Sequence, residues 1–353
     1  MGQCKTYTRH NPEAWGPRVT VTLRTAPGVL GLASLADAAP WLARFTPPYA
    51  FGDFFAPEDT VLCVLATRAA LARPPGGTRL AELTAGGALV LADALLDDPA
   101  RRGAAAELDP AAVRRARANL AGLGLGGRSV VQRSGLFSRG LSRRLRRFRP
   151  DVVACNPPYI PEPPGNRLAL VAGAGADGAR HPRRAIHTAA RAGVPRLVLS
   201  WCSVGDPVGV VDTAAHAGYQ LTALWCALIA DGEYTGAVHG YLRTLPTAFL
   251  TEDGATLDAL APDGAAHFAY LLLAGEFQRT AGPTQRRRRA GERAAGVVDG
   301  LVHDFARDGA AALAARAGGA PASVLDGVAC QWFAADRWDE LRMRALAHGP
   351  VTA

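Results

Sequence analysis

A chain of 353 residues, 49% of them hydrophobic, has material for one large domain or two modest ones. No apolar run approaches the roughly 20 residues of a membrane helix, and the N-terminus is polar with no signal-peptide pattern, so a cytoplasmic protein without a membrane partner is expected. The formal charge of +8 invites nucleic acid, but Lys5 is the only lysine and the arginines accompany abundant Ala, Gly and Pro, as a GC-rich coding bias would produce.

Residues 1–50 read as an N-terminal extension, with a short alternating strand over 19–23 and a helix over 32–45 broken at Pro40. The opening Met1-Gly2-Gln3-Cys4-Lys5-Thr6 fits a myristoylation pattern, taken here as an accidental match. From 51 to 245 strand-like and helix-like stretches alternate, which signals an α/β sheet. A helix over 60–71 follows Pro57-Glu58-Asp59. A strand over 78–83 runs into the turn Thr84-Ala85-Gly86-Gly87, and a helix over 88–96 leaves it. A second strand covers 103–108. Asp109 and Pro110 suit the cap and first position of the next helix. Further strands are expected over 129–132, 151–155, 197–201, 219–228 and 237–245, with a helix over 181–192 before the fifth. Residues 246–353 are Ala-rich with helical periodicity and read as a C-terminal helical appendage. Its Arg286–Arg289 run is expected to be a basic loop.

The six cysteines, Cys4, Cys63, Cys155, Cys202, Cys226 and Cys330, include no CxxC pair, so reduced buried thiols are expected rather than disulfides or a metal site. The basic stretch 142–149 reads as a solvated helix. His181, His187, His216 and His239 are scattered, with none paired to a nucleophile. Asp206-Pro207 reads as a helix start, and Trp201 and Trp225 as core.

The chemistry lies in two places. A strand, a Gly-containing turn and a helix, then a second strand ending in an acid, Glu107, form a nucleotide-type binding pattern. The strand over 151–155 then ends in Asn156-Pro157-Pro158-Tyr159, at the edge of the sheet where open α/β folds bind ligands. The Asn156 side-chain oxygen and the Pro157 carbonyl offer two adjacent acceptors, which suit the two hydrogens of a planar NH2 group. Tyr159 is expected to cover a flat π surface.

The string Asn156-Pro157-Pro158-Tyr159-Ile160-Pro161 resembles class I S-adenosylmethionine-dependent methyltransferases that act on planar nitrogens, and most of all the release-factor glutamine N5-methyltransferases. Pro57-Glu58-Asp59-Thr60, Glu107-Leu108-Asp109-Pro110 and Ser134-Gly135-Leu136-Phe137 extend the resemblance over roughly residues 51–245. It implies a Rossmann-like seven-stranded sheet with helices on both faces, and S-adenosylmethionine as cofactor. Thr84, Ala85, Gly86, Gly87 and Ala88 would wrap the methionine and ribose. Glu107 would hold the ribose hydroxyls, and Gly135 and Leu136 would border the adenine. Asn156 and Pro157 would grip the substrate nitrogen, with Pro158 stiffening the segment and Tyr159 packed on the substrate plane. Catalysis would be mostly positioning, with no metal. The implied substrate is a protein glutamine, as in a release factor. Adenine N6 of a nucleic acid and a small metabolite under a C-terminal helical lid are alternatives. Thr84 and Ala88 stand where the family has its outer glycines, and Gly135 stands where it has an acid. A non-catalytic scaffold that kept the fold is therefore a further alternative.

Overall fold

The computed structural model describes residues 32–45, 49–51, 55–74, 76–262, 264–280, 284–318 and 322–334; the strand expected over 19–23 and the N-terminal hexapeptide lie outside them. One sheet contains β1 (Ala33–Ser34), β2 (Arg79–Leu83), β3 (Arg102–Glu107), β4 (Ser129–Arg133), β5 (Val152–Cys155), β6 (Arg196–Cys202), β7 (Tyr219–Ala230), β8 (Ala269–Arg279), β9 (Ala322–Leu325) and β10 (Val328–Ala334). Its order is β1-β10-β7-β8-β6-β5-β2-β3-β4, with β9 paired to β10. β4, β3, β2, β5 and β6 run parallel, and β8 is inserted antiparallel between β6 and β7. The seven strands from β4 to β7 form a Rossmann-like sheet with helices on both faces, extended at one edge by β10 and β1.

Each central strand feeds two cores in alternation. Leu80, Val152 and Val198 face one side, while Ala81, Val153 and Leu197 face the other. Burial on both faces explains why these strands read as continuous apolar runs. Helices α1 (Pro57–Ala72), α2 (Leu89–Asp97) and α3 (Pro110–Gly122) contribute to the first core; α4 (Leu141–Phe148), α5 (Arg180–Ala192) and α6 (Pro207–His216) contribute to the second. Three shorter helices follow, α7 (Glu233–Ala237), α8 (His239–Leu242) and α9 (Gly254–Leu260). The long α10 (Thr284–Ala317), broken at Gly309, packs on α6 and β7.

Several local expectations hold for the reasons given. Asp109 caps α3 by accepting from the amides of Ala111 and Ala112, and Asp206 caps α6 through the Gly209 amide. Leu141 and Leu145 of α4 are buried while Arg143, Arg144, Arg146 and Arg147 are exposed, a solvated basic helix. Five described cysteines are free and buried, and Trp201 and Trp225 are core.

Others need correction. Residues 237–245 are not a strand. Val238 and Leu242 are the buried pair there, and their spacing of four belongs to a helix, so α8 occupies the segment. The strand that completes the sheet is β8, inside the stretch read as helical. Its apolar run is buried on both faces, so it carries no alternation by which to be recognised. The 32–45 stretch forms β1, a turn and one 3-10 helix that begins at Pro40 rather than being broken by it. The basic run at 286–289 lies within α10, not a loop.

Gly275 of β8 is where the inserted strand crosses the core. A Cβ there would lie 2.8 Å from the Trp201 ring, 2.7 Å from Leu221 and 2.9 Å from Phe277, all fully or almost fully buried. Gly275→Ala is expected to lower unfolding stability by about 1–3 kcal/mol, measured by urea denaturation. An unchanged midpoint would mean the β8 packing is looser than these contacts.

Candidate active site

The turn after β2 is held in left-handed backbone geometry at alternate residues, with φ of 54° at Thr84, 51° at Gly86 and 61° at Ala88. For Thr84 and Ala88 this costs about 1–2 kcal/mol each. Thr84 has a compensating contact that glycine could not make. Its hydroxyl donates to the Asn156 carbonyl at 3.0 Å, tying the turn to the end of β5. Gly86 donates its amide to Glu107 Oε2 at 2.8 Å, and Glu107 Oε1 accepts from the amides of Leu108 and Asp109. The carboxylate at the end of β3 is thus aimed back across the turn.

The segment before α1 closes one side. Asn119 of α3 accepts from the Ala50 amide at 2.8 Å and donates to the carbonyls of Ala50 and Gly87 at 2.8 and 2.9 Å. Tyr49 donates to the same Gly87 carbonyl at 3.1 Å. A Cβ on Gly87 would crowd the Ala50 and Phe51 carbonyls at 3.2 Å, so this glycine serves the strap. At Gly86 a Cβ would meet nothing within 4 Å; it would project into open space.

That space is a cleft of about 550 Å³. Of the residues named from sequence, Thr84, Ala85, Gly86, Gly87, Glu107, Gly135, Leu136, Asn156 and Pro158 line it. Ala88, Pro157 and Tyr159 do not. Ala88 is buried beneath the turn, and Pro157 is buried at the base of the loop. Tyr159 is corrected from a stacking surface to an interior residue. It is 8% exposed, and its hydroxyl donates to Asp59 Oδ2 at 2.7 Å. Exposed Leu108 and Phe137 border the Gly135–Leu136 slot, and exposed Leu170 and Val171 form another part of the rim.

The sequence reading missed Tyr49, Phe51, Phe55, Asp59, Glu82 and His181, all of which line the cleft. The aromatics carried a signal in their spacing. Tyr49, Phe51 and Phe55 form a chain of ring contacts with centroids 5.1 and 4.6 Å apart, but a boundary drawn at residue 50 divides it. His181 packs its ring edge-on to Phe137 at 5.2 Å, and burial, then the neighbouring Arg180 charge, holds it below its usual value.

Two carboxyls in the cleft wall are unusual. Burial pushes Asp59 up to about 6, against the opposing hydrogen bonds from Tyr159 and the Asn156 side chain. Burial pushes Glu82 up to about 8, against the amides of Leu91 and Val90 at the start of α2. The Asn156 Oδ1 is buried and accepts no hydrogen bond. No group of three His, Cys, Asp or Glu that could hold a metal is present among the described residues, and no described helix is long and apolar enough to cross a membrane.

No family model matches the sequence, and no curated protein matches it. Solved structures do. An O-methyltransferase of Brevibacillus brevis in complex with S-adenosyl-L-homocysteine is 9% identical, with 68% of this chain and 77% of that one covered at a TM-score of 0.40. The Mtq2–Trm112 complex of E. cuniculi, described as methylating the eRF1 translation termination factor, is 14% identical over 63% and 96% of the chains at 0.37. TrmN of Thermus thermophilus is 17% identical over 62% of this chain and 48% of its own, at 0.34. At these scores the assignment of an activity rests on the geometry of the cleft itself.

Glu82 gives a direct thermodynamic signature. Its ordinary value is 4.5 and its folded value about 8. Between them the folded chain keeps the proton that the unfolded chain has lost, so stability falls as pH rises. Glu82→Gln is expected to remove about 1.4 kcal/mol per pH unit of that fall, or about 3 kcal/mol between pH 5.5 and 7.5. Urea unfolding at both pH values checks it; an equal slope in the two proteins would place the proton elsewhere.

Proposed function

We propose that the chain transfers a methyl group from S-adenosylmethionine to a planar NH2 nitrogen, with a protein glutamine as the first substrate class. One observation carries this reading: Asn156 Oδ1, an unpaired buried acceptor, belongs to a residue that lines the same cleft as Gly86 and Glu107. A buried acceptor without a donor costs about 1–3 kcal/mol, and an incoming N–H would relieve it.

The residues present fit the cofactor. The cleft is of the size that encloses a small ligand, a Cβ on Gly86 would meet no atom within 4 Å, and the Glu107 carboxylate borders the same cleft beside Gly86. Glu107 would hold the ribose hydroxyls, the backbone of residues 84–87 would follow the methionine part, and Leu108 and Leu136 would border the adenine. When bound, the cofactor supplies a sulfonium-activated methyl group. The protein's part is then positioning. Asn156 Oδ1 would accept one N–H of the substrate, while Pro157, which does not line the cleft, drops out of the grip, and the nitrogen lone pair would stay free to point at the methyl carbon. The flat cover passes from Tyr159 to Phe51 and Phe55.

The apolar rim at Leu170 and Val171 favours a protein acceptor over a polyanion. The α4 arginines do not line the cleft; Arg146, with Arg149 just after the helix, borders Asp151 and Pro195, at the opposite ends of β5 and β6. No described residue after 245 lines the cleft, which weighs against a lid built from the C-terminal helices.

Calorimetry and labelled-methyl transfer test the proposal. Gly86→Val is expected to abolish S-adenosylmethionine binding while the far-ultraviolet spectrum is kept. Asn156→Ala is expected to retain the cofactor and to lose about 100-fold in transfer to glutamine-containing protein. A wild-type chain that binds no cofactor at millimolar concentration would be the scaffold instead, and label in RNA rather than protein would move the acceptor to adenine.

A further inference from the structure

Residues 110–150 contain eleven arginines and neither an aspartate nor a glutamate. This segment alone carries +11 against +8 for the whole chain, so the other residues together are net −3. A coding bias that enriches arginine acts along a whole chain. It does not clear one segment of acids while 31 stand elsewhere.

The fold turns that segment into one surface. β4 is the edge strand of the sheet, with α3 before it in the chain and α4 after it. α3 contributes to one core and α4 to the other, so the two helices flank the edge on opposite faces. Arg114 and Arg117 of α3, Arg133 of β4, and Arg143, Arg144, Arg146 and Arg147 of α4 are exposed. Three of these side chains donate to main-chain carbonyls: Arg117 to Val131, Arg133 to Leu108 and Arg146 to Arg191. Among the described residues none of them holds a carboxylate, whereas Arg68 holds Asp93, Arg101 holds Asp97, and Arg307 holds Asp304 and Asp308. The acids that bound the segment are engaged: Asp109 caps α3, and Asp151 accepts the amides of Thr78 and Arg79.

α5 carries the charge on beside α4, to which it is tied by the Ser142 hydroxyl on the Thr188 carbonyl. Arg191 is exposed at one end of α5, and at the other Arg180 and Arg184 lie over the Phe137 ring at 4.9 and 5.4 Å. Between them burial, then the Arg191 and Arg184 charges, holds His187 below its usual value. Phe137 and Arg115 also line the cleft, so the basic strip ends at its mouth.

Cations at this density repel one another, and an anionic partner removes that repulsion. An anionic membrane would take the apolar side of an amphipathic helix, but Leu141 and Leu145 of α4 are buried in the core. A protein interface has an apolar centre; on α3, β4 and α4 the large exposed hydrophobic residue is Val130 alone. Nucleic-acid interfaces are polar and strongly positive, and the guanidinium fork suits phosphate oxygens. Phe137, 45% exposed at the end of the strip, is a ring of the kind on which unpaired bases stack.

We propose that the β4 edge, flanked by α3 and α4, binds the phosphate backbone of a single-stranded nucleic acid that runs toward the mouth of the cleft. The proposal concerns docking and stands apart from the identity of the methyl acceptor.

Fluorescence anisotropy of the full chain with a labelled single-stranded RNA tests it, with single-stranded DNA as the second arm. If the α4 arginines each meet a phosphate, log affinity falls with log salt at a slope of about −3. Arg143→Gln with Arg147→Gln is expected to reduce that slope by about 1.4 and to weaken binding about tenfold or more at about 0.1 M salt. Both side chains are exposed, and the buried Leu141 and Leu145 are untouched, so the far-ultraviolet spectrum is expected to be kept. Arg243→Gln with Arg307→Gln removes the same charge from exposed positions outside the strip and is expected to leave the slope unchanged. Absence of binding to either strand at low salt, or an equal loss in the two double variants, overturns the proposal. So does tighter binding to duplex DNA, equal competition by polyglutamate at matched charge, or a preference for phosphatidylserine vesicles over RNA. Neither cofactor nor methyl acceptor enters the measurement, so failure of the methyl-transfer reading would be seen separately.

Discussion

β2 and β5 lie side by side in parallel, with Leu83 opposite Cys155. The residues that follow, Thr84 and Asn156, therefore leave the sheet at one point. To one side of this pair the chain continues through β3 and β4, and to the other through β6, so the helices diverge and open a crevice above the strand ends. Every element of the candidate site depends on that pairing. It sets the Gly86 turn beside the asparagine, and the Thr84 hydroxyl locks the two together. Glu107 arrives from the next strand over, in register with the same edge.

The site departs from what folding alone would favour. Two non-glycine residues hold left-handed backbone, two carboxyls are buried at high proton affinity, and an amide oxygen is buried without a donor. Each lowers stability, and Thr84, Asp59, Glu82 and Asn156 line the same cleft, with Ala88 buried just beneath it. Local cost of this kind is tolerated where surrounding structure over-determines it. The surrounding sheet, with both faces covered and β8 driven through its middle, supplies the rigidity that keeps these groups in place.

Much of this was legible one residue at a time. Asp109-Pro110 announces α3 because a short carboxylate and a residue without an amide satisfy a helix start locally. Asn156-Pro157-Pro158 marks a strand end because proline cannot continue a ladder. β8 was not legible. An apolar run of strand length, buried on both faces, has no period to distinguish it from a helix within an Ala-rich stretch. Tyr159 misled for a similar reason: an aromatic ring is equally suited to a ligand face and to a core, and the partner that decides, Asp59, is a hundred residues away.

The sequence by itself determined the alternation of strands and helices, the turn at Gly86, the acid at Glu107 and the rigid segment after Asn156, because each is written in the local chemistry of a few consecutive residues. Only the tertiary structure decided which strand enters between β6 and β7, that the strap at Tyr49 and Phe51 walls the cleft, and that Tyr159 turns inward to Asp59. Those outcomes depend on contacts between segments far apart in the chain, where burial and hydrogen-bond partners are set by packing rather than by neighbours in sequence.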